Sequence, residues 1–193
     1  MLADEIEDFM TFRAPLFAAA TLSLWFLDRP GPWYRWKIAS LSSLSAAAIG
    51  LLIAQALSHL WVRERPFVAH PHETLLLVPP SQEPSFPSDH AVAAFAIAFS
   101  VAFVGGRRAG GLFLAGASVL ALGRVLVGLH YPGDVAGGAL IGLVAALLIF
   151  FTAGGRWGPL VRVLSKITDP LVKPVWAAKD AYRARRRLRS LSS

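Results

Sequence analysis

The sequence predicts an all-α integral membrane bundle of about five transmembrane helices followed by an interfacial C-terminal helix. Three observations carry this expectation. Hydrophobic residues make up 55% of the 193 positions, and mean hydropathy is +0.53. Several apolar runs exceed the roughly 18 residues that a bilayer crossing requires. The breaks between these runs are rich in proline, glycine or arginine, residues that end helices or anchor them at a membrane interface.

A first span is predicted from about Ile6 to Leu27, interrupted by Arg13. Its acidic lead-in of Asp4, Glu5, Glu7 and Asp8 does not fit a cleavable leader, so the span is expected to stay in the product. The turn from Asp28 to Pro32 ends it, and Trp33, Tyr34 and Trp36 suit an interfacial aromatic belt. A second span is predicted from about Lys37 to Val62. Within it, Ser40, Ser42, Ser43 and Ser45 beside Ala46 to Ala48 form a small-residue stripe, which reads as helix packing rather than catalysis. Prolines at 66, 71, 79, 80, 84 and 87 exclude a crossing between 63 and 87, which is expected to be an ordered surface loop.

The third span is expected from Ser88 to Val104. A fourth runs from Gly110 to about Leu129 after the turn Gly105 to Arg108, and a fifth from Pro132 to Thr152. Residues 1–155 thus read as a transmembrane unit and 156–193 as a basic amphipathic tail. In that tail Leu160, Leu164, Ile167 and Leu171 recur at helical spacing, while Pro170 and Pro174 predict short interfacial pieces over another crossing.

Five spans place the breaks on alternating sides, and the basic residues then divide unevenly. Of 19 Lys and Arg, the set Arg29, Arg35, Lys37, Arg107, Arg108 and the ten from Arg156 to Arg189 shares one side, leaving only Arg13, Arg63, Arg65 and Arg124. The crowded side is expected to be cytoplasmic, the tail with it. The net charge of +7 is accounted for by topology and anionic membrane lipid, so nucleic acid is not an expected partner. With no cysteine, disulfides and thiolate zinc sites are excluded.

Three polar stretches remain, all at the opposite, extracytoplasmic surface: Arg63-Glu64-Arg65-Pro66, Pro87-Ser88-Asp89-His90, and Gly123-Arg124 with His130 and Asp134. One closes span two, one opens span three, and one joins spans four and five, so they converge at one end of the bundle. Arg65 and Arg124 offer planar forks that match phosphate oxygens in pairs. Ser88 adds a hydroxyl at a helix start, where free N–H groups favour an anion. A lone arginine at a span end ordinarily snorkels to the headgroups, and His59, His70 and His72 read as wet interfacial side chains. Three helix ends bringing arginine, serine and histidine to one surface point to a phosphate site instead.

The segments SHLWVRERP, PSDH and GRVLVGLHYPGD resemble the type 2 phosphatidic acid phosphatase pattern KxxxxxxRP, PSGH, SRxxxxxHxxxD over residues 37 to 152. RPFVAH, SFPSDH and GLHYPGD are most similar to the bacterial undecaprenyl diphosphatases associated with bacitracin resistance. The resemblance implies His130 as nucleophile, Asp134 as its partner and His90 as the acid for the leaving group, with Arg65, Ser88 and Arg124 on the phosphoryl oxygens. It implies a polyprenyl diphosphate lipid as substrate and no cofactor.

The chemistry is sound for these residue types. A neutral imidazole attacks phosphorus, and a carboxylate on its other nitrogen fixes the tautomer. Fixed arginines offset the charge on the transferring group without a metal. A two-His-one-carboxylate metal site from His90, His130 and Asp134 is disfavoured, because Arg65 and Arg124 would repel the cation.

Two departures from the pattern stand out: Ser58 occupies the first-motif lysine position, and Gly123 the third-motif serine position. Arg63 is the expected replacement for that lysine. Asp89 stands where the family has glycine, and next to a phosphate it must point away, cap its helix or pair with an arginine. The other readings are a phosphatase of phosphatidylglycerophosphate or phosphatidic acid, and a lipid-phosphate binder or transporter that does not hydrolyse. A soluble haloperoxidase shares the signature, and the unbroken apolar spans speak against it.

Overall fold

A computed structural model describes residues 17–28, 34–74, 76–77, 79–153 and 156–191. Among them all regular structure is helical: α1 (Phe17–Leu27), α2 (Arg35–Leu60), the single turn α3 (Pro66–Ala69), α4 (Asp89–Gly105), α5 (Arg107–Leu126), α6 (Pro132–Ala153) and α7 (Gly158–Leu191). Helices α2, α5 and α6 are long and apolar enough to cross a membrane, and α1 and α4 are shorter apolar helices. These are the five expected segments. The predicted start of the first span, with Arg13, and most of the turn after Asp28 lie outside the described residues.

Helix α4 is the centre of the bundle, packed against α2, α5 and α6. Its buried face is almost entirely alanine and valine, with Ala91, Val92, Ala94, Ala96, Ala98 and Val101 inaccessible or nearly so. In lipid there is no water to expel from between helices, so close backbone approach takes over as the packing force. Gly142 of α6 shows how close: a Cβ there would stand 2.7 Å from the Ala96 nitrogen and 2.8 Å from the Val92 carbonyl oxygen. The serine stripe of α2 packs as expected. Ser40, Ser42 and Ser43 are buried, and Ser43 Oγ donates to the Ala39 carbonyl within its own helix.

One expectation fails. Pro170 and Pro174 do not divide the tail, because α7 runs unbroken through both. Both prolines are exposed, so the backbone carbonyls that lose their N–H partners can be satisfied by solvent or headgroups, and the helix continues. Lys37, counted with the basic residues of the expected cytoplasmic side, is not at the surface: it is 1% exposed and paired with Asp169 of α7.

Candidate active site

The three polar stretches meet at the C-terminal end of α2, and local backbone features explain how. Helix α5 ends at Leu126, and Gly128, with φ +78°, takes the left-handed step that a side chain would resist. The chain then folds back, so that the Arg124 carbonyl accepts from the N–H groups of both Leu129 (3.2 Å) and His130 (3.3 Å). That ties the arginine and histidine of the third motif together through the backbone. Pro132 opens α6 and places Asp134 in its first turn, four residues after His130. Ser88 precedes α4, and its N–H donates to the Asp134 carbonyl at 3.2 Å, fastening the second motif to the third.

Arg65, 5% exposed, braces the assembly from the loop. Its Nε donates to the Glu83 carbonyl (2.8 Å), Nη2 to Pro84 (3.4 Å) and Nη1 to Leu129 (3.2 Å), with Nη1 also 3.3 Å from His130 Nε2. Burial lowers its pKa from the ordinary arginine value, opposed by the nearby carboxylates of Glu83, Asp134 and Asp89.

The His130 ring is 4% exposed and fixed at both nitrogens. Nδ1 lies 2.8 Å from the Ser85 carbonyl oxygen, which can only accept, so Nδ1 carries the hydrogen. In the neutral ring Nε2 then holds the lone pair, next to the Arg65 guanidinium. Asp134, fully buried, is not the direct partner expected for Nδ1: its Oδ2 is 3.8 Å away. Its oxygens instead accept from Arg63 Nη1 (2.8 Å, on Oδ1), Ser85 Oγ (2.6 Å, on Oδ2) and the Tyr131 N–H (2.9 Å, on Oδ2).

A cavity of about 410 Å³ lies at this site, and Arg65, His90, Arg124 and His130 all line it. Ser58 and His59 of α2 form another wall, with Glu83 and Asp89 also present. Asp89 thus begins α4, where the helix dipole favours an acid, and still faces the cavity.

Two expected site residues are placed differently. Ser88 is fully buried behind the wall, its hydroxyl without a hydrogen-bond partner among the described residues. Arg63 does not line the cavity that Ser58 lines: it binds Asp134 on the Nδ1 side of the His130 ring and lies 4.0 Å over the Tyr131 ring. His90, His130 and Asp134 do not surround one point either, since Asp134 spends its oxygens on protein donors. Sequence reasoning missed Ser85, which holds both His130 and Asp134. The only available signal was its position three residues before Ser88 in SFPSDH.

A second, apolar cavity of about 320 Å³ shares Asp89 and His90 with the first and extends between helices along Phe17, Leu44, Leu51, Ala94 and Leu120. A polar chamber and an oily groove therefore adjoin at Asp89 and His90.

Comparison with known proteins finds similar sequences and a similar fold. The profile of the PAP2 superfamily matches residues 39–157. The chain is 31% identical over 137 residues to the bacitracin transport permease protein BcrC of Bacillus licheniformis, covering 71% of this chain and 65% of that one. It is 28% identical over 170 residues to the undecaprenyl-diphosphatase BcrC of Bacillus subtilis, covering 88% and 84%. The crystal structure of Aquifex aeolicus LpxE superposes with a TM-score of 0.59 at 24% identity, over 76% of this chain and 91% of that one, a likeness of fold.

Proposed function

Because the chain belongs to the PAP2 superfamily, we propose that it is a membrane phosphatase that releases the terminal phosphate of undecaprenyl diphosphate, recycling a cell-wall lipid carrier. The observation that carries this reading is the convergence of Arg65, His90, Arg124 and His130, from three separate polar stretches, on one cavity that adjoins an apolar groove at His90. The polar part suits a phosphoryl group and the groove suits a lipid tail entering sideways from the bilayer.

In the proposed reaction, His130 Nε2 attacks the terminal phosphorus. The N–P bond forms as the bond to the lipid-phosphate oxygen breaks, and His90 gives that oxygen a proton. Arg65 and Arg124 offset the charge on the equatorial oxygens. The Ser85 carbonyl keeps the hydrogen on Nδ1, and the Asp134 carboxylate, 3.8 Å from that nitrogen, favours the cation that develops on the ring. Water then cleaves the phosphohistidine, His90 taking its proton, and inorganic phosphate leaves.

The two ends of α2 support an outward-facing site. The cavity meets its C-terminal end, while Lys37 and the basic α7 meet its N-terminal end. With the basic end cytoplasmic, the site opens on the outer face of a bacterial plasma membrane.

The test is phosphate release by the purified protein from polyprenyl diphosphate, phosphatidylglycerophosphate and phosphatidic acid, each with EDTA. Release is expected to be fastest from the polyprenyl diphosphate and to survive the chelator. His130→Ala is expected to lower it by at least about a thousandfold, and His90→Ala to slow both half-reactions. Turnover retained by His130→Ala overturns the mechanism, and preference for another lipid overturns the substrate. The B. licheniformis relative is named a bacitracin transport permease, which favours a second reading, transport without hydrolysis. Lipid crossing into protein-containing vesicles without phosphate release supports that one instead.

A further inference from the structure

Helix α7 has three distinct faces. On the first, Val161, Ser165 and Asp169 are buried against the bundle. Lys37 Nζ forms an ion pair with Asp169 Oδ1 and donates to Ser165 Oγ at 2.8 Å, with the Trp25 and Tyr34 rings 5.4 and 5.7 Å away. Trp25 Nε1 also donates to Thr168 Oγ1 at 2.9 Å. This polar lock joins α7 to α1 and to the first turn of α2, and it fixes the rotation of α7 about its own axis.

On the second face Leu160, Val163, Ile167, Leu171 and Val175 are all exposed. Spaced by three and four residues, they form one stripe roughly 22 Å long. The lock prevents this stripe from turning toward the bundle. On the third face Arg162, Lys166 and Lys173 are exposed, at spacings of four and seven that keep them in line. The lock lies at the N-terminal end of α2 and the catalytic cavity at its C-terminal end. The 26 residues of that helix span about 39 Å, the thickness of a bilayer with its headgroups.

We propose that α7 is an anionic-phospholipid-binding arm, held by the Lys37–Asp169 lock at the membrane surface opposite the cavity. Its apolar stripe enters the acyl boundary, and Arg162, Lys166 and Lys173 contact acidic headgroups. Amphipathic helices bind such surfaces when apolar area and cations act together, and each cation adds roughly a fivefold gain in partitioning. Further arginines at 183, 185, 186, 187 and 189 extend the basic sequence. This inference is independent of which lipid phosphate the enzyme hydrolyses.

The chain has no cysteine, so Ile167→Cys carries a single fluorophore. The labelled full-length protein is placed in nanodiscs with a nitroxide-bearing phosphatidylcholine quencher near the headgroups, with or without about 30% phosphatidylglycerol. Quenching is expected to be strong in the anionic discs. It is expected to fall at least about threefold in zwitterionic discs and in the triple variant Arg162→Glu, Lys166→Glu, Lys173→Glu. An unfolding midpoint in detergent close to that of the parent keeps a folding defect from imitating this loss. Equal quenching in all discs, or none in any, overturns the proposal. So does energy transfer between labelled copies that is indifferent to lipid charge, which would mean that a second copy covers the stripe.

Discussion

The Nδ1 hydrogen of His130 is held by the backbone carbonyl of Ser85 at 2.8 Å, while the Asp134 carboxylate stands back at 3.8 Å. A carbonyl oxygen can only accept, so it fixes the tautomer without a charge of its own. The carboxylate is left to act at a distance and to organise the loop, since the Ser85 hydroxyl donates to it at 2.6 Å. Ser85 thus joins the ring to the acid and is a positioning residue.

Ser85→Ala is expected to leave the carbonyl contact and remove the hydroxyl donor from a buried carboxylate. A hydrogen bond to a charged group is worth about 1.5–3 kcal/mol. The expected outcome is a kcat lowered roughly tenfold to a hundredfold with KM nearly unchanged, because substrate binding does not use this hydroxyl. Ser85→Thr, which keeps the donor, is expected to recover most of the loss. Steady-state kinetics on both variants checks this, and a loss confined to KM would show that Ser85 contacts substrate.

Arg63 separates two electrostatic roles that look alike in sequence. Bound to Asp134 at 2.8 Å and 40% exposed, it balances a fully buried carboxylate. Arg63→Ala is expected to lower stability by about 1–3 kcal/mol, below the cost of breaking a fully buried pair because water reaches the guanidinium. KM is expected to stay within about twofold. Adding Asp134→Asn should recover part of the lost stability while kcat remains low. A large KM increase in Arg63→Ala alone would instead place this residue on the phosphate.

The contrast between Arg63 and Arg65 shows which parts of the site could be read from sequence. His90, Arg65, Arg124 and His130 sit in short polar motifs at helix ends, and apolar periodicity locates those ends, so their convergence was legible. Arg63, two residues from Arg65, carries the same charge in the same stretch. Only the packing shows that it faces Asp134. Ser85 was invisible because half of its role is a backbone carbonyl, which every residue has. The continuity of α7 was not legible because proline ordinarily ends a helix, and only the fold shows that Pro170 and Pro174 are exposed, where the carbonyls they leave unpaired can be solvated.

Ser58 lines the cavity at the position where the family pattern has lysine. The same walls hold two acids, Glu83 and Asp89, beside Arg65 and Arg124, so an added cation should strengthen binding of an anionic headgroup. Ser58→Lys is expected to lower KM for a lipid phosphate by about three- to tenfold at low ionic strength, with the gain shrinking as salt is raised. Kinetics over a range of salt concentrations reads this directly. A KM equal to the parent's at every salt concentration would mean that the reacting headgroup never approaches α2.

Gly142 tests whether the packing of α6 on α4 positions the chemistry. A methyl group there would meet backbone atoms of Ala96 and Val92 at 2.7 and 2.8 Å, and backbone cannot swing aside as a flexible side chain can. Either α4 moves, carrying His90 at its start, or the strain remains. Gly142→Ala is therefore expected to cost about 1–3 kcal/mol in stability and to lower kcat/KM. Gly111→Ala, on the exposed side of α5 with nothing within 4 Å of the new methyl, is expected to be neutral or to add up to about 1 kcal/mol of stability. Thermal unfolding and phosphate release on both variants in detergent give the comparison. If both behave like the parent, the contact between α4 and α6 is not what sets the position of His90, and its placement must come from the loop that precedes Ser88.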